Sequence, residues 1–199
     1  LKLQAAVCRL YRNAMDSRGF VEIHSPKLIA GESESGAGVF TTDYFGETAC
    51  LAQSPQLYKQ LAVAGDLGGV YEVGPVFRAE NSNTRRHLCE FTGLDFEVPI
   101  VSHYSEAISI GHGVFKAIFE GLENECSDLL TSVRAQFPSE PAVISDEPVV
   151  LHFDDALQLL RDAGVAPEDQ DDLSGADELR LGELVKEKHG VDFFVVDQY

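Results

Sequence analysis

Three arginines crowd a short polar stretch of the chain. Arg78, Arg85 and Arg86 lie at or near Asn81-Ser82-Asn83-Thr84, residues that favour turns through their own side-chain hydrogen bonds. Carboxylates accompany them at Glu80 and Glu90. Guanidinium groups grip phosphate and carboxylate oxygens two at a time, so this cluster suits a polyanion such as a nucleotide phosphate. A surface hairpin whose charges pair with one another fits the same residues. A second grouping is Gln56 and Lys59, three apart and so on one face of a helix near its N-terminus. The positive end of the helix dipole adds to the Lys59 charge, and an anionic small molecule would be received there. A solvated lysine is the plainer alternative.

The flanking sequence says what must hold these groups. Val73, Val76 and Phe77 before the arginine-rich loop, and Phe91, Leu94 and Phe96 after it, are the two arms of a hairpin spanning residues 71–96. Ser54 and Pro55 open the helix that carries Gln56 and Lys59, as N-cap and first helical residue, with Leu57, Leu61 and Ala64 expected to face inward. Upstream, residues 1–17 read as a helix with Leu3, Val7, Leu10 and Ala14 on one face. Residues 20–24 alternate as a strand that stops at Pro26. Residues 31–38 are small, polar and glycine-rich, a loop that serves either as a lid or as a connector. Two strands, 39–45 and 47–51, flank Phe45-Gly46-Glu47.

Downstream, residues 104–137 carry a helical apolar pattern from Ile108 to Val133, residues 149–153 read as a strand, and a helix capped by Asp154 or Asp155 follows. After an acidic loop at 167–172 come a helix over 177–189, with Leu179, Leu181, Leu184 and Val185 apolar, and a strand over 193–196. Hairpins mixed with helices indicate an α+β fold with a largely antiparallel sheet flanked by helices.

Composition bounds the function. The 199 residues, 44% hydrophobic, suffice for one sizeable core or for one domain with an appended subdomain. No apolar run approaches the ~20 residues that span a bilayer. No secretory leader is visible, and both ends look cut from a longer protein. The four cysteines are scattered, which argues against zinc and against a disulfide framework, and no metal ligands are assigned. Net charge is −18, unevenly spread: residues 139–199 carry 16 acids against 4 bases, residues 1–100 only 12 against 9. An acidic surface opposes nonspecific nucleic-acid binding, so any such contact must be local. The acidic region 139–199 is read as a solvated face with no ligand.

Phe77-Arg78-Ala79-Glu80, Arg86-His87 and Phe91 together resemble motif 2 of the class II aminoacyl-tRNA synthetases. Residues 19–26, ending at Pro26, resemble motif 1 of the same family. Residues 53–60, 93–97, 172–174 and 184–188 extend the likeness in the right order, and over the whole chain it is to the aspartyl-tRNA synthetases of archaeal and eukaryotic cytosolic type. The resemblance implies a class II synthetase-like catalytic core across residues 1–199, incomplete because motif 3 and an anticodon-binding domain are not in the sequence.

It also implies a function. L-Aspartate and ATP would give aspartyl-adenylate, and the aspartyl group would pass to the 3′ end of tRNA(Asp). Arg78 would hold the α-phosphate and the substrate carboxylate and so be catalytic. Ala79, Glu80, Arg86, His87, Leu88 and Phe91 would complete the ATP side, with Phe91 stacking on adenine. Glu34 would meet the aspartate ammonium, and Gln56, Leu57, Tyr58 and Lys59 would form the aspartate-binding helix. Ser33 and Gly36 suit a loop that closes over substrate. The similar asparaginyl enzymes usually carry an uncharged residue at the Lys59 position.

Pro26 would lie in a homodimer interface. Mg2+ would be required, with its ligands outside this chain. A cytoplasmic location is expected, with no membrane partner. The residues present are not expected to turn over alone. An asparaginyl-tRNA synthetase and a non-catalytic, dimerising synthetase-like module remain the alternatives.

Overall fold

The computed structural model describes residues 1–31, 38–81, 87–165 and 172–198. The chain divides into two compact units, Leu1–Val101 and Ser102–Tyr199.

The first unit opens with α1 (Lys2–Asp16). Its buried face is Ala6, Leu10, Tyr11, Ala14 and Met15, wider than the four-residue stripe read from the sequence. After it come β1 (Val21–Glu22), β2 (Leu28–Ile29), β3 (Thr41–Tyr44), β4 (Glu47–Leu51), α2 (Gln56–Ala64), β5 (Val70–Phe77) and β6 (Glu90–Glu97). One sheet has the order β1-β5-β6 and the other β2-β4-β3. The long hairpin is β5–β6, antiparallel and in register from Val70↔Glu97 to Phe77↔Glu90. In the second sheet β3 and β4 turn through Phe45 and Gly46 at φ 53° and 86°, the left-handed pair that a two-residue hairpin requires.

The predicted sheet was largely antiparallel, and β5–β6, β3–β4 and β2–β4 agree. Two pairings do not: β1 runs parallel to β5, and in the second unit β7 runs parallel to β8. Between β1 and β5 lie β2, β3, β4 and α2, and between β7 and β8 lie α5 and α6, long enough connections for the crossover that parallel neighbours need. Tyr71 fastens α1 to the first sheet. Its ring meets Tyr11 edge-on at 5.8 Å, and its hydroxyl donates to Asp16 at 2.7 Å. Burial first, then the Asp16 hydrogen bond and the nearby Glu22 charge, push the Tyr71 phenol well above its usual range.

The second unit comprises α3 (Ser105–Glu125), α4 (Ser127–Arg134), β7 (Val150–His152), α5 (Phe153–Asp162), α6 (Gly175–His189) and β8 (Val195–Asp197). The single helical pattern over 104–137 is thus two helices, broken at Cys126, whose φ of −127° leaves the helical region. Helix α5 begins at Phe153 with His152 as its N-cap, so Asp154 and Asp155 are not caps. They lie in the first turn, where they complement the dipole. Helix α6 starts at Gly175, two residues before the expected 177, held by a capping box between Ser174 and Asp177. The β7-α5-α6-β8 unit closes its own core around Phe153, Leu157, Leu160, Leu181 and Val185. Leu179, one of the four apolar residues named for this helix, is 65% exposed, because Leu181 and Val185 set the buried face of α6. The acidic-loop expectation falls mostly on residues 166–171, outside the described residues.

Candidate active site

Helix α2 presents an unusual inner face. Lys59 is 4% exposed, whereas Leu57 and Leu61, expected inward, are 57% and 59% exposed and Ala64 is exposed too. The helix has rotated its lysine toward β6. Two carboxylates on that strand explain why: Lys59 Nζ lies 3.1 Å from Asp95 Oδ1 and 3.8 Å from Glu97 Oε2, and it also donates to the Phe96 carbonyl at 3.4 Å. A buried ammonium without such partners would be costly, and two acids outweigh two leucines on a nine-residue helix. Gln56, one turn earlier, donates from Nε2 to Glu97 at 3.3 Å. Gln56 and Lys59 therefore share a face, while Leu57 does not join them.

The helix start is shifted by one residue from the expected one. Pro55 is the N-cap, and the Ser54 hydroxyl accepts from the Gln56 N–H at 3.3 Å.

Asp95 and Glu97 received no role from the sequence. Their signal was the two-residue period of β6, in which Gly93, Asp95 and Glu97 fall on one face. Gly93 is necessary for that geometry: a Cβ there would stand 2.8 Å from Asp95 Oδ2 and 2.9 Å from Val76.

At the far end of the hairpin β5 delivers Arg78. Its backbone N–H donates to the Cys89 carbonyl at 3.0 Å, continuing the ladder beyond Phe77↔Glu90. Its Nε reaches the Gln53 carbonyl at 3.5 Å, and its guanidinium carbon sits 5.6 Å from the Phe91 ring centroid. Gln53 is fully buried and was also without a role in the sequence reading. The next two residues are pinned in turn, Ala79 N–H to the Gly38 carbonyl at 2.8 Å and Glu80 N–H to the Arg78 carbonyl at 2.8 Å. His87 and Leu88 are exposed, Phe91 and Tyr58 half-buried, and Pro26 exposed. Glu34 and Arg86 lie outside the described residues, as do Ser33 and Gly36.

This first unit therefore combines a buried cation between two acids with an arginine anchored at a hairpin end. The model of the family described as tRNA synthetases class II (D, K and N) matches residues 1–199. The chain belongs to this class II synthetase family. Among its relatives is a protein of Caenorhabditis elegans named aspartate–tRNA ligase, cytoplasmic, 48% identical over 198 residues and covering all of this chain but 37% of that protein. The human protein of the same name is 46% identical, with 40% of its length covered. Among solved structures, an aspartyl-tRNA synthetase from Entamoeba histolytica superposes with a TM-score of 0.84 at 43% identity, covering all of this chain and 37% of that one. The chain thus spans about two fifths of the length of the curated relatives it matches. The α+β architecture expected for a class II synthetase is the one observed.

Proposed function

We propose that the protein containing this chain is an aspartate–tRNA ligase, which activates L-aspartate with ATP and transfers it to tRNA(Asp). The observation that carries the reading is the buried Lys59. To receive the substrate side chain, Lys59 exchanges part of its pairing with Asp95 and Glu97 for the new group; an aspartate carboxylate replaces that charge, and a neutral asparagine amide does not. The relatives named for aspartate at 46–48% identity support the same reading. An asparaginyl-tRNA synthetase structure from Pyrococcus horikoshii is more distant, with a TM-score of 0.78 at 30% identity over 92% of this chain and 41% of that one.

The charges match a zwitterion with one extra carboxylate. The substrate side chain takes Lys59, with Gln56 beside it, and its ammonium is offered Asp95, Glu97 and, from the sequence, Glu34. The α-carboxylate meets the ATP α-phosphate at Arg78, where negative charge grows in the transition state. Ala79, Glu80, His87, Leu88 and Phe91 are assigned to the nucleotide side, and Arg86 joins them on the sequence resemblance alone. Positioning and charge stabilisation are most of what such a phosphoryl chemistry asks of a protein.

We read Mg2+ as accompanying ATP, with its ligands outside this chain; among the described residues no group of three or more His, Cys, Asp or Glu side chains is placed to hold a metal ion. We further read the protein as a cytoplasmic homodimer joined near Pro26. No described helix is long and apolar enough to cross a membrane.

The test is pyrophosphate exchange into ATP by the complete polypeptide. Exchange driven by aspartate is expected. Exchange driven by asparagine instead would reassign the substrate, and none with any amino acid would favour a non-catalytic module.

A further inference from the structure

Glu72 takes no part in the site above, yet it is among the most deeply buried charges of the first unit, 3% exposed on β5 and six residues before Arg78. Both of its oxygens are engaged by the segment that follows β1. The Lys27 ammonium pairs with Oε1, and the Ser25 backbone N–H donates to Oε2 at 3.0 Å. Lys27 also donates to Ser25 Oγ at 2.9 Å. Room for the pair is built into the strand, since a Cβ on Gly74 would lie 2.8 Å from Glu72 Oε1 and 3.5 Å from Lys27 Cε and Nζ.

The same segment returns to the other end of β5. The Lys27 carbonyl accepts from Ala52 N–H at 2.9 Å, and the Ala52 carbonyl accepts from Phe77 N–H at 3.0 Å. The next carbonyl, of Gln53, is the one that receives Arg78 Nε. Residues 25–27 and 52–53 therefore brace β5 from Glu72 to Arg78, roughly 20 Å at strand rise.

We propose that Glu72 is a positioning residue for Arg78. By fixing Ser25 and Lys27 it sets the height of the Ala52–Gln53 backbone, on which the end of β5 and the arginine side chain rest. The proposal deepens the reading of Arg78 as the phosphate-gripping group and rests on it.

Glu72→Gln in the complete polypeptide keeps the volume and removes the charge. We expect kcat for aspartate-dependent exchange to fall roughly 10- to 100-fold, as remote misplacement of a catalytic group does. The KM for aspartate is expected to stay within about twofold, the split seen when a contact made in the transition state is weakened. Hydrogen exchange at the Phe77 amide is expected to quicken while that of α2 does not.

The double variant Lys27→Met/Glu72→Met separates positioning from stability. With no charge left uncompensated its Tm returns toward wild type, but its kcat stays low. Recovery of kcat in step with Tm, or a Glu72→Gln variant with lowered Tm and unchanged kcat, would reduce Glu72 to a structural role and overturn the proposal. Should the wild type exchange with no amino acid, the functional reading falls, and the Phe77 amide still decides the brace: unchanged exchange there overturns it.

Discussion

Replacing Lys59 with Met retains the length of the side chain and removes its charge. Asp95 and Glu97 then face each other's charge with no ammonium between them, each about a quarter to a third exposed. Truncating one partner of a buried, hydrogen-bonded charge pair costs about 2–5 kcal/mol in binding. Here the lower end applies. In the free protein Lys59 already has two carboxylate partners, so an arriving substrate carboxylate exchanges partners and does not rescue an unpaired ion. About 2 kcal/mol corresponds to roughly a 30-fold rise in the dissociation constant for aspartate, at 1.36 kcal/mol per decade. ATP binding is expected to change by less than about threefold, because Arg78 is anchored by Gln53, Cys89 and Phe91 and not by Lys59. Calorimetric titration of the complete polypeptide with each ligand separately measures both. Equal losses for aspartate and ATP, or a variant that binds asparagine no better relative to aspartate, would refute the role of Lys59 as a carboxylate reader.

Other expectations concern the second unit. His152 Nδ1 lies 2.6 Å from Asp197, which also accepts from Tyr104 at 2.9 Å, and the Asp197 hydrogen bond raises the imidazole above its ordinary 6.5. Its stabilisation is therefore fully present below pH 6.5 and lost as pH rises through the raised value, while Asp197, held below its ordinary 3.8 by His152, gives way only in acid. The clasp is tightest between those limits, and an NMR titration of His152 with a midpoint at or below 6.5 would contradict it. Along α6, Leu181→Ala is expected to cost about 2–5 kcal/mol by opening a cavity, and Leu179→Ala no more than about 0.5 kcal/mol. Denaturant melts of the two variants should differ accordingly, and similar losses would mean the buried face of α6 is misassigned.

Much of this protein is written in local pattern. The 3.6-residue period of α1, the glycine turn between β3 and β4, and the two apolar arms around residues 78–89 each need only near neighbours to declare themselves. The arginine at the hairpin end and the shared face of Gln56 and Lys59 follow from spacing alone, and so were legible. What sequence could not settle is which face of α2 goes inside. Its apolar residues favoured Leu57 and Leu61, but the answer lay 36 and 38 residues away, in carboxylates that only the packing of α2 on β6 brings to Lys59.

The parallel pairing of β1 with β5 is of the same kind, since strand direction depends on how the intervening chain crosses over. So is the burial of Glu72, which on the strand pattern is an interruption and in space is the partner of Lys27. Local periodicity and turn chemistry determined the elements and the identity of the chemical groups. Long-range electrostatic compensation, which has no period, decided which charges are buried and therefore where the site lies.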